Sequence, residues 1–275
     1  MVRAMIARLV AVVFTLFAAA PALAVEGAWS TGQKASVRLI VGGIGADGKL
    51  SGGIEIRMPE GWHTYWRMPG DAGIAPTFDF SGSLNVGAVE VSFPVPTRRD
   101  DGLSVTNVYD GRVVLPFAAE VIDPAADVEL AVAIDLGVCA DICVPDTVTA
   151  SVRAAAGPAD AAAEAMLQEA RALLPGQPEG GFAVEDIVRD GGSDKRPVFR
   201  VRATVPDAAS ADVFVEGPGD WASYRPVRAE AVVPGEAVWS VKFSRLGAKS
   251  PVEGATFRIT VVSDGRAIEQ FVPAN

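Results

Sequence analysis

The feature that most constrains the fold is a series of short segments rich in Val, Ile and Phe, separated by Gly, Pro and Asp. In the first half of the chain these segments are residues 34–41, 53–58, 86–93, 113–121 and 128–136. Turn-forming pairs such as Asp47-Gly48 and Asp110-Gly111 lie between them. Segments of this length and spacing predict an antiparallel β-sandwich of immunoglobulin-like type.

A different pattern follows at residues 158–174, which are dense in Ala, Leu and Glu and therefore favour a helix. Met166, Ala170 and Leu173 share one face at helical spacing. The pair Pro175-Gly176 ends the run. A helical connector is the plain interpretation, because a dimerising coiled coil would need more heptads.

The β pattern then resumes to the end of the chain, with apolar and polar residues tending to alternate. The segments are residues 182–188, 198–205, 212–216, 237–243, 256–262 and 267–272. We therefore predict an all-β protein of two immunoglobulin-like sandwiches, residues 25–153 and 179–275, joined by a helical linker at 154–178. Trp221, Tyr224 and Trp239 are interpreted as packing residues of the second sandwich, with a binding face as the alternative.

The N-terminus has the pattern of a signal peptide, residues 1–24. Arg3 and Arg8 precede an apolar run at 9–20, and Ala22-Leu23-Ala24 predicts cleavage after Ala24. An uncleaved anchor is the alternative. Loss of the two arginines takes the formal net charge from −10 to −12. Such an acidic chain argues against binding to nucleic acid or anionic membranes.

Cys139 and Cys143 are the only cysteines, and three residues separate them. Oxidation would close a ring of five residues, worth roughly 2 kcal/mol of stabilisation against about 4 to 5 for a long loop. The pair therefore favours redox-active thiols over a structural staple, and export permits a disulfide. A local structural disulfide and an inert or metal-binding pair remain alternatives. Asp141 lies between the sulfurs as a candidate proton acceptor or as a solvated loop residue.

Residues 61–73 form a second unusual stretch, because Trp62, Tyr65 and Trp66 surround His63, the only histidine. Pro69, Gly70 and Gly73 follow, and this density of turn residues predicts an irregular loop. Such a loop either fills a core or covers a reactive sulfur. His63 either stabilises a thiolate as an imidazolium or packs through a hydrogen bond.

Together these stretches resemble the N-terminal periplasmic domain of the thiol:disulfide interchange protein DsbD family. The resemblance covers about residues 29–152, and the C-x3-C spacing is that of its ScsB-type relatives. The residues that carry it are Gly61-Trp62-His63-Thr64-Tyr65-Trp66, Pro69-Gly70-Asp71, Val113-Val114-Leu115-Pro116 and the segment from Cys139 to Pro145.

The resemblance implies a periplasmic thiol-disulfide oxidoreductase component that exchanges disulfides through Cys139 and Cys143. It also implies a cap, assigned here to His63, Tyr65 and Trp66. In the family a membrane domain and a thioredoxin-like domain follow in the same chain, whereas this sequence ends at Asn275. The expected partners are therefore a separate membrane-embedded thiol donor and thioredoxin-like periplasmic proteins.

No nucleophile–base arrangement, dinucleotide fingerprint or zinc spacing is visible in the sequence. We therefore expect no cofactor and no resident metal. The alternative class is a non-enzymatic exported binding module with a structural disulfide. In that class Cu(I) would be the metal to consider, because thiolates select it.

Overall fold

The computed structural model describes residues 26–45, 47–154, 161–219, 221–229 and 233–274. The predicted signal peptide and its cleavage site lie outside these residues. In the described part of the chain, no helix has the length and apolar character needed to cross a membrane.

The first part of the chain folds into a β-sandwich. Its strands are β1 Ser30–Thr31, β2 Ser36–Ile44, β3 Lys49–Arg57, β4 His63–Gly70, β5 Thr77–Asp79, β6 Val86–Val91, β7 Thr97–Asp100, β8 Val105–Asp110, β9 Arg112–Val121, β10 Val128–Cys139 and β11 Cys143–Ala154. One sheet has the order β1-β2-β3-β9-β6, and the other has the order β11-β10-β4-β8-β7 with β5 paired to β10. Apolar side chains of both sheets, among them Leu39, Ile54, Leu115 and Leu130, form the core between them.

Strand β4 corrects one expectation, because His63 to Gly70 forms a strand and not an irregular loop. Thr64 pairs with Val138 of β10 on one side and with Tyr109 of β8 on the other. Aromatic and β-branched residues fit a pleated surface with neighbours on both sides. The turn residues interrupt the strand only from Gly70 onward, where the chain leaves the sheet.

The predicted helix is confirmed as α1, Ala161–Ala172. Ala163, Leu167 and Ala170 are its buried residues, and they pack against Ile40 and Val114 of the first sandwich. The predicted helix face was wrong in part. Leu173 follows α1 and is exposed, and Met166 is half-buried. Positions 163, 167 and 170 are spaced by four and three residues and so lie on one face of the helix. This face, and not the one through Met166 and Leu173, packs against the sandwich.

The second part is a smaller sandwich with its own core. Its strands are β12 Ala183–Ser193, β13 Arg196–Thr204, β14 Asp212–Glu216, β15 Ala222–Ser223, β16 Val227–Arg228, β17 Glu236–Ser244, β18 Thr256–Ser263 and β19 Arg266–Pro273. The sheets have the orders β12-β13-β17-β15, with β16 on β17, and β14-β18-β19. Phe199, Trp221, Trp239 and Phe257 lie in the core, whereas Tyr224 is at the surface. The prediction of an all-β protein built from two immunoglobulin-like sandwiches is confirmed.

Both sandwiches touch each other and the connector. Phe214 of β14 packs within the first core, and Arg98 of β7 donates to Asp212 at 2.7 Å. After α1, the backbone of Gly176 pairs with β19 through Ala267 and Glu269. The division of the chain into separately folding domains at 153 and 179 stays a prediction.

Candidate thiol-disulfide site

Cys139 and Cys143 form a disulfide across the hairpin of β10 and β11. The two residues are direct partners in the β10–β11 register, and residues 140–142 form the loop between them. Their Cα atoms are 4.1 Å apart. Two cysteines four residues apart on a helix would have more widely separated Cα atoms. The short separation here arises because directly opposite residues of antiparallel strands lie close together.

The two cysteines differ in their access to solvent. Cys139 is 2 % exposed, whereas Cys143 is exposed, as are the loop residues Asp141 and Ile142. Cys143 is therefore the more accessible of the two cysteines.

Tyr65 of β4 reaches both sulfurs. Its hydroxyl donates to Cys139 Sγ at 3.0 Å and lies 3.5 Å from Cys143 Sγ. The neighbouring Thr64 donates from Oγ1 to the carbonyl oxygen of Gly137 at 2.9 Å, which fixes β4 beside β10. Burial raises the pKa of the Tyr65 phenol and outweighs the opposite effect of Arg99. The phenol therefore stays protonated and remains a hydrogen-bond donor at neutral pH.

The Tyr65 ring is enclosed by two glycines. Gly73, at a φ of 107°, lies so close to the ring that a Cβ there would overlap it. A Cβ at Gly137 would be 3.2 Å from Tyr65 Cε2. Residues 71–76, which we term the covering loop, therefore cover Tyr65. Asp71 anchors this loop, since Asp71 N–H donates to the Val105 carbonyl and Val105 N–H donates to Asp71 Oδ2, both at 3.0 Å.

His63 is buried beside Tyr65, with ring centroids 5.5 Å apart and an edge-on contact. Arg99 Nη1 lies 3.3 Å from His63 Nδ1, and because a guanidinium only donates, Nδ1 is the acceptor. Burial, followed by the charge of Arg99, lowers the pKa of His63 and outweighs the opposite effect of Asp110. These surroundings disfavour an imidazolium, so His63 supports Tyr65 by packing.

The two remaining residues of the predicted site lie elsewhere. Trp66 is 0 % exposed, belongs to the core and packs edge-on against Phe214 at 5.3 Å. A covering role for Trp66 stays a prediction. Asp141 lies in the exposed hairpin loop. The structure thus brings Tyr65 and His63 to the cysteine pair and places Trp66 in the core.

Sequence reasoning missed Asp146, a buried carboxylate three residues after Cys143. It accepts the backbone N–H groups of residues 33, 34 and 35 at 2.8 to 2.9 Å. Burial opposes the ionised form, but these hydrogen bonds outweigh it and lower the pKa of Asp146. A signal was present, because 146 continues the inward-facing series Val148, Ala150 and Val152 along β11.

No group of three or more His, Cys, Asp or Glu side chains within the described ranges is placed to hold a metal ion. The site consists of the two sulfurs, the Tyr65 hydroxyl and the residues that pack around them. A disulfide at a hairpin tip with one buried and one exposed cysteine, on an immunoglobulin-like sandwich, fits the class of thiol-disulfide exchange domains.

Comparison with known proteins agrees with this class. Residues 35–154 match the family model of the N-terminal domain of thiol:disulfide interchange protein DsbD, and this segment includes both cysteines. A comparison with curated proteins finds no match. Among solved structures, the N-terminal periplasmic domain of ScsB from Proteus mirabilis is similar, with a TM-score of 0.71 and 21 % identity. The similarity covers 91 % of this chain and 98 % of that chain, so the shared fold includes both sandwiches.

Proposed function

We propose that this chain is a periplasmic thiol-disulfide exchange module. It passes reducing equivalents between a membrane-embedded thiol donor and thioredoxin-like periplasmic proteins through Cys139 and Cys143. The contact of the Tyr65 hydroxyl with the buried sulfur of a disulfide whose other cysteine is exposed carries this proposal. The family description of residues 35–154 and the periplasmic origin of the similar ScsB domain support it.

Reduction begins when a partner thiolate attacks Cys143 Sγ, the accessible sulfur. The bond between the two cysteines breaks, its electron pair stays on Cys139 Sγ, and Cys143 forms a mixed disulfide with the partner. The partner's second thiolate then attacks the partner sulfur and releases Cys143 as a thiolate. The partner leaves with a disulfide, and this chain holds two thiols. The same steps in reverse reduce an oxidised partner.

Tyr65 assists at the sulfur that leaves. A hydroxyl that donates to Cys139 Sγ stabilises the negative charge that develops there, and a better leaving thiolate leaves faster. Because its pKa is raised, Tyr65 keeps the proton needed for this bond. The covering loop packs on the ring and holds it in position, and the burial of Cys139 strengthens the hydrogen bond.

Trapping of mixed disulfides tests the assignment of the two sulfurs. The Cys139→Ala variant keeps the accessible thiol and is expected to accumulate a mixed disulfide with a thioredoxin-like protein that carries a disulfide. Cys143→Ala is the matched control and is expected to trap little, because its remaining thiol is buried. Equal trapping by both variants would contradict the assigned roles.

The reduction potential separates exchange from a structural role. We expect the potential to lie above about −300 mV, because structural disulfides have potentials below that value. A potential below about −300 mV would instead indicate a structural disulfide.

Tyr65→Phe is expected to slow reduction by a dithiol about tenfold, since a hydrogen bond to a charged group is worth about 1.5 kcal/mol. Tyr224→Phe, at the surface of the second sandwich, is the control.

A further inference from the structure

Strand β4 contacts the disulfide and the second sandwich through consecutive residues. Tyr65 donates to Cys139 Sγ at 3.0 Å. Trp66 packs against Phe214 of β14. Arg67 forms ion pairs with Glu216 of β14, at 2.8 Å, and with Glu269 of β19. The residue at the sulfur and the residue bound to the second sandwich are therefore two positions apart.

The backbone ladder is irregular at this point of β4. Tyr65 pairs with Val108, but the next pair in the β4–β8 register is Gly70 with Thr106. Residues 66–69 thus have no partners in that register, and side-chain contacts hold them. Asn107 supplies one by donating from Nδ2 to the Met68 carbonyl at 2.9 Å, Trp66 supplies another by packing on Phe214, and Arg67 supplies the ion pairs.

The surroundings of Arg67 form a well-defined anchor. Its Nε and Nη2 both donate to Glu216 Oε1, at 3.0 and 2.8 Å, and its guanidinium stacks over Trp66 at 4.1 Å. The side chains of Arg67, Glu216 and Glu269 are 10 %, 18 % and 14 % exposed. Thr260 and Arg258 in turn donate to Glu269. Because a planar guanidinium with paired donors has a fixed orientation, this anchor determines where the segment after Tyr65 lies.

We infer that Arg67 is a positioning residue, through which the second sandwich holds Tyr65 on Cys139 and thereby tunes the redox equilibrium of the disulfide. The second sandwich contains neither cysteine nor histidine, and these contacts connect it to the residue at the sulfur. This inference rests on the proposed function for its biological meaning. Its test uses glutathione and needs no protein partner.

The experiment measures the equilibrium of the whole chain with reduced and oxidised glutathione. Tyr65→Phe removes a donor that favours the reduced thiolate, so its disulfide should be about tenfold harder to reduce, or roughly 30 mV lower in potential. Arg67→Met should shift the equilibrium in the same direction by about threefold. The double variant should shift the equilibrium no further than Tyr65→Phe alone. Both substitutions act on the same interaction, the hydrogen bond from the Tyr65 hydroxyl to Cys139 Sγ, and this bond can be lost only once.

Arg98→Met is the matched control. Arg98 also joins the two sandwiches, through Asp212, and it also stacks on an aromatic ring, that of Phe214. However, it lies on β7, makes no hydrogen bond with β4 in the described contacts, and reaches the Asn107 side chain only at a long 3.4 Å, from Nη1 to Oδ1. Its equilibrium with glutathione should stay within about twofold of the wild type, since it does not position the hydroxyl.

Three results would overturn the inference: a wild-type equilibrium in folded Arg67→Met, additive shifts in the double variant, or an equal shift in Arg98→Met. Where Arg67→Met does not fold, Glu216→Gln is judged by the same criteria, because it weakens the anchor and keeps its shape. Failure of the proposed function is a separate result. In that case the wild-type chain would not exchange with a thioredoxin-like protein, whatever the glutathione equilibria show.

Discussion

Asp146 and Ala35 are joined by a buried hydrogen bond, 2.8 Å from the Ala35 N–H to Asp146 Oδ2. The bond ties the start of β11, just after Cys143, to the segment that enters β2. Two further backbone N–H groups, those of Gln33 and Lys34, donate to the same carboxylate. These bonds therefore hold the hairpin that carries the disulfide against the segment that leads into the other sheet, three residues after the exposed Cys143.

This relationship predicts that Asp146→Asn lowers the free energy of unfolding by about 2 kcal/mol at neutral pH, because an amide loses one acceptor oxygen and the charge. Urea unfolding measures the change. Asp135→Asn on the same hairpin is the control. Asp135 is exposed and accepts only from Thr147 in the described contacts, so its change should stay within about 0.5 kcal/mol.

The effect of Asp146 should also depend on pH. Its pKa in the folded protein is lowered, so its contribution is complete above the unfolded value of about 3.9 and is lost as the pH falls toward the folded value. The stability gap between the wild type and Asp146→Asn should narrow in acid. A gap that stays constant to about pH 3 would contradict this assignment.

His63 is predicted to affect stability more than exchange. Its lowered folded pKa means that the unfolded chain binds the proton more tightly, so stability falls as the pH drops through the unfolded value of about 6.5. His63→Gln should remove this part of the pH dependence in urea unfolding. Its rate of reduction by a dithiol at about pH 7.5 should change less than about threefold. A much larger loss of rate in a folded variant would restore the imidazolium hypothesis.

The Tyr65 contribution should be independent of pH near neutrality. Because burial raises the pKa of the phenol, it stays a donor from about pH 6 to about pH 9. The ratio of reduction rates of the wild type and Tyr65→Phe should therefore be constant across this range. Stopped-flow fluorescence with a dithiol measures it. A ratio that falls toward one near pH 8 would show that Tyr65 ionises there.

The connector predicts a contrast between two leucines. Leu167 of α1 is fully buried against the first sandwich, so Leu167→Ala should cost about 2 to 5 kcal/mol of unfolding free energy. Leu173 is 65 % exposed, and Leu173→Ala should change stability by no more than about 0.5 kcal/mol. Equal losses of unfolding free energy in the two variants would contradict the position of α1 in this structure.

The two-domain hypothesis predicts that residues 25–178 fold without the second sandwich. A shorter fragment, 25–153, lacks α1 and exposes Ile40 and Val114, so it should be less stable by an amount similar to that for Leu167→Ala. Thermal unfolding of both fragments measures the difference. If 25–178 is unfolded at room temperature, the contacts between the sandwiches are obligatory for the first one.

The sequence by itself determined the parts that depend on neighbouring residues. Segments rich in Val, Ile and Phe placed five of the eleven strands described in the first sandwich. Alternation of apolar and polar residues placed six of the eight described in the second, as in 237–243, and alanine-rich composition placed α1. Two cysteines with three residues between them can be no more than about 14 Å apart, so a turn between them is enough to bring them within disulfide range.

Only the tertiary structure decided which distant groups surround the sulfurs. Tyr65 reaches Cys139 across 74 positions, and Arg67 reaches Glu216 across 149. Local propensity misassigned His63 to Gly70 as a loop and did not separate the core residue Trp66 from Tyr65. Such contacts depend on which strands pair and which surfaces pack, and these are long-range choices that a local pattern does not encode. The sequence therefore limited the separation of the two cysteines, whereas the β10–β11 hairpin paired them and the contacts of β4 determined the surroundings of the disulfide.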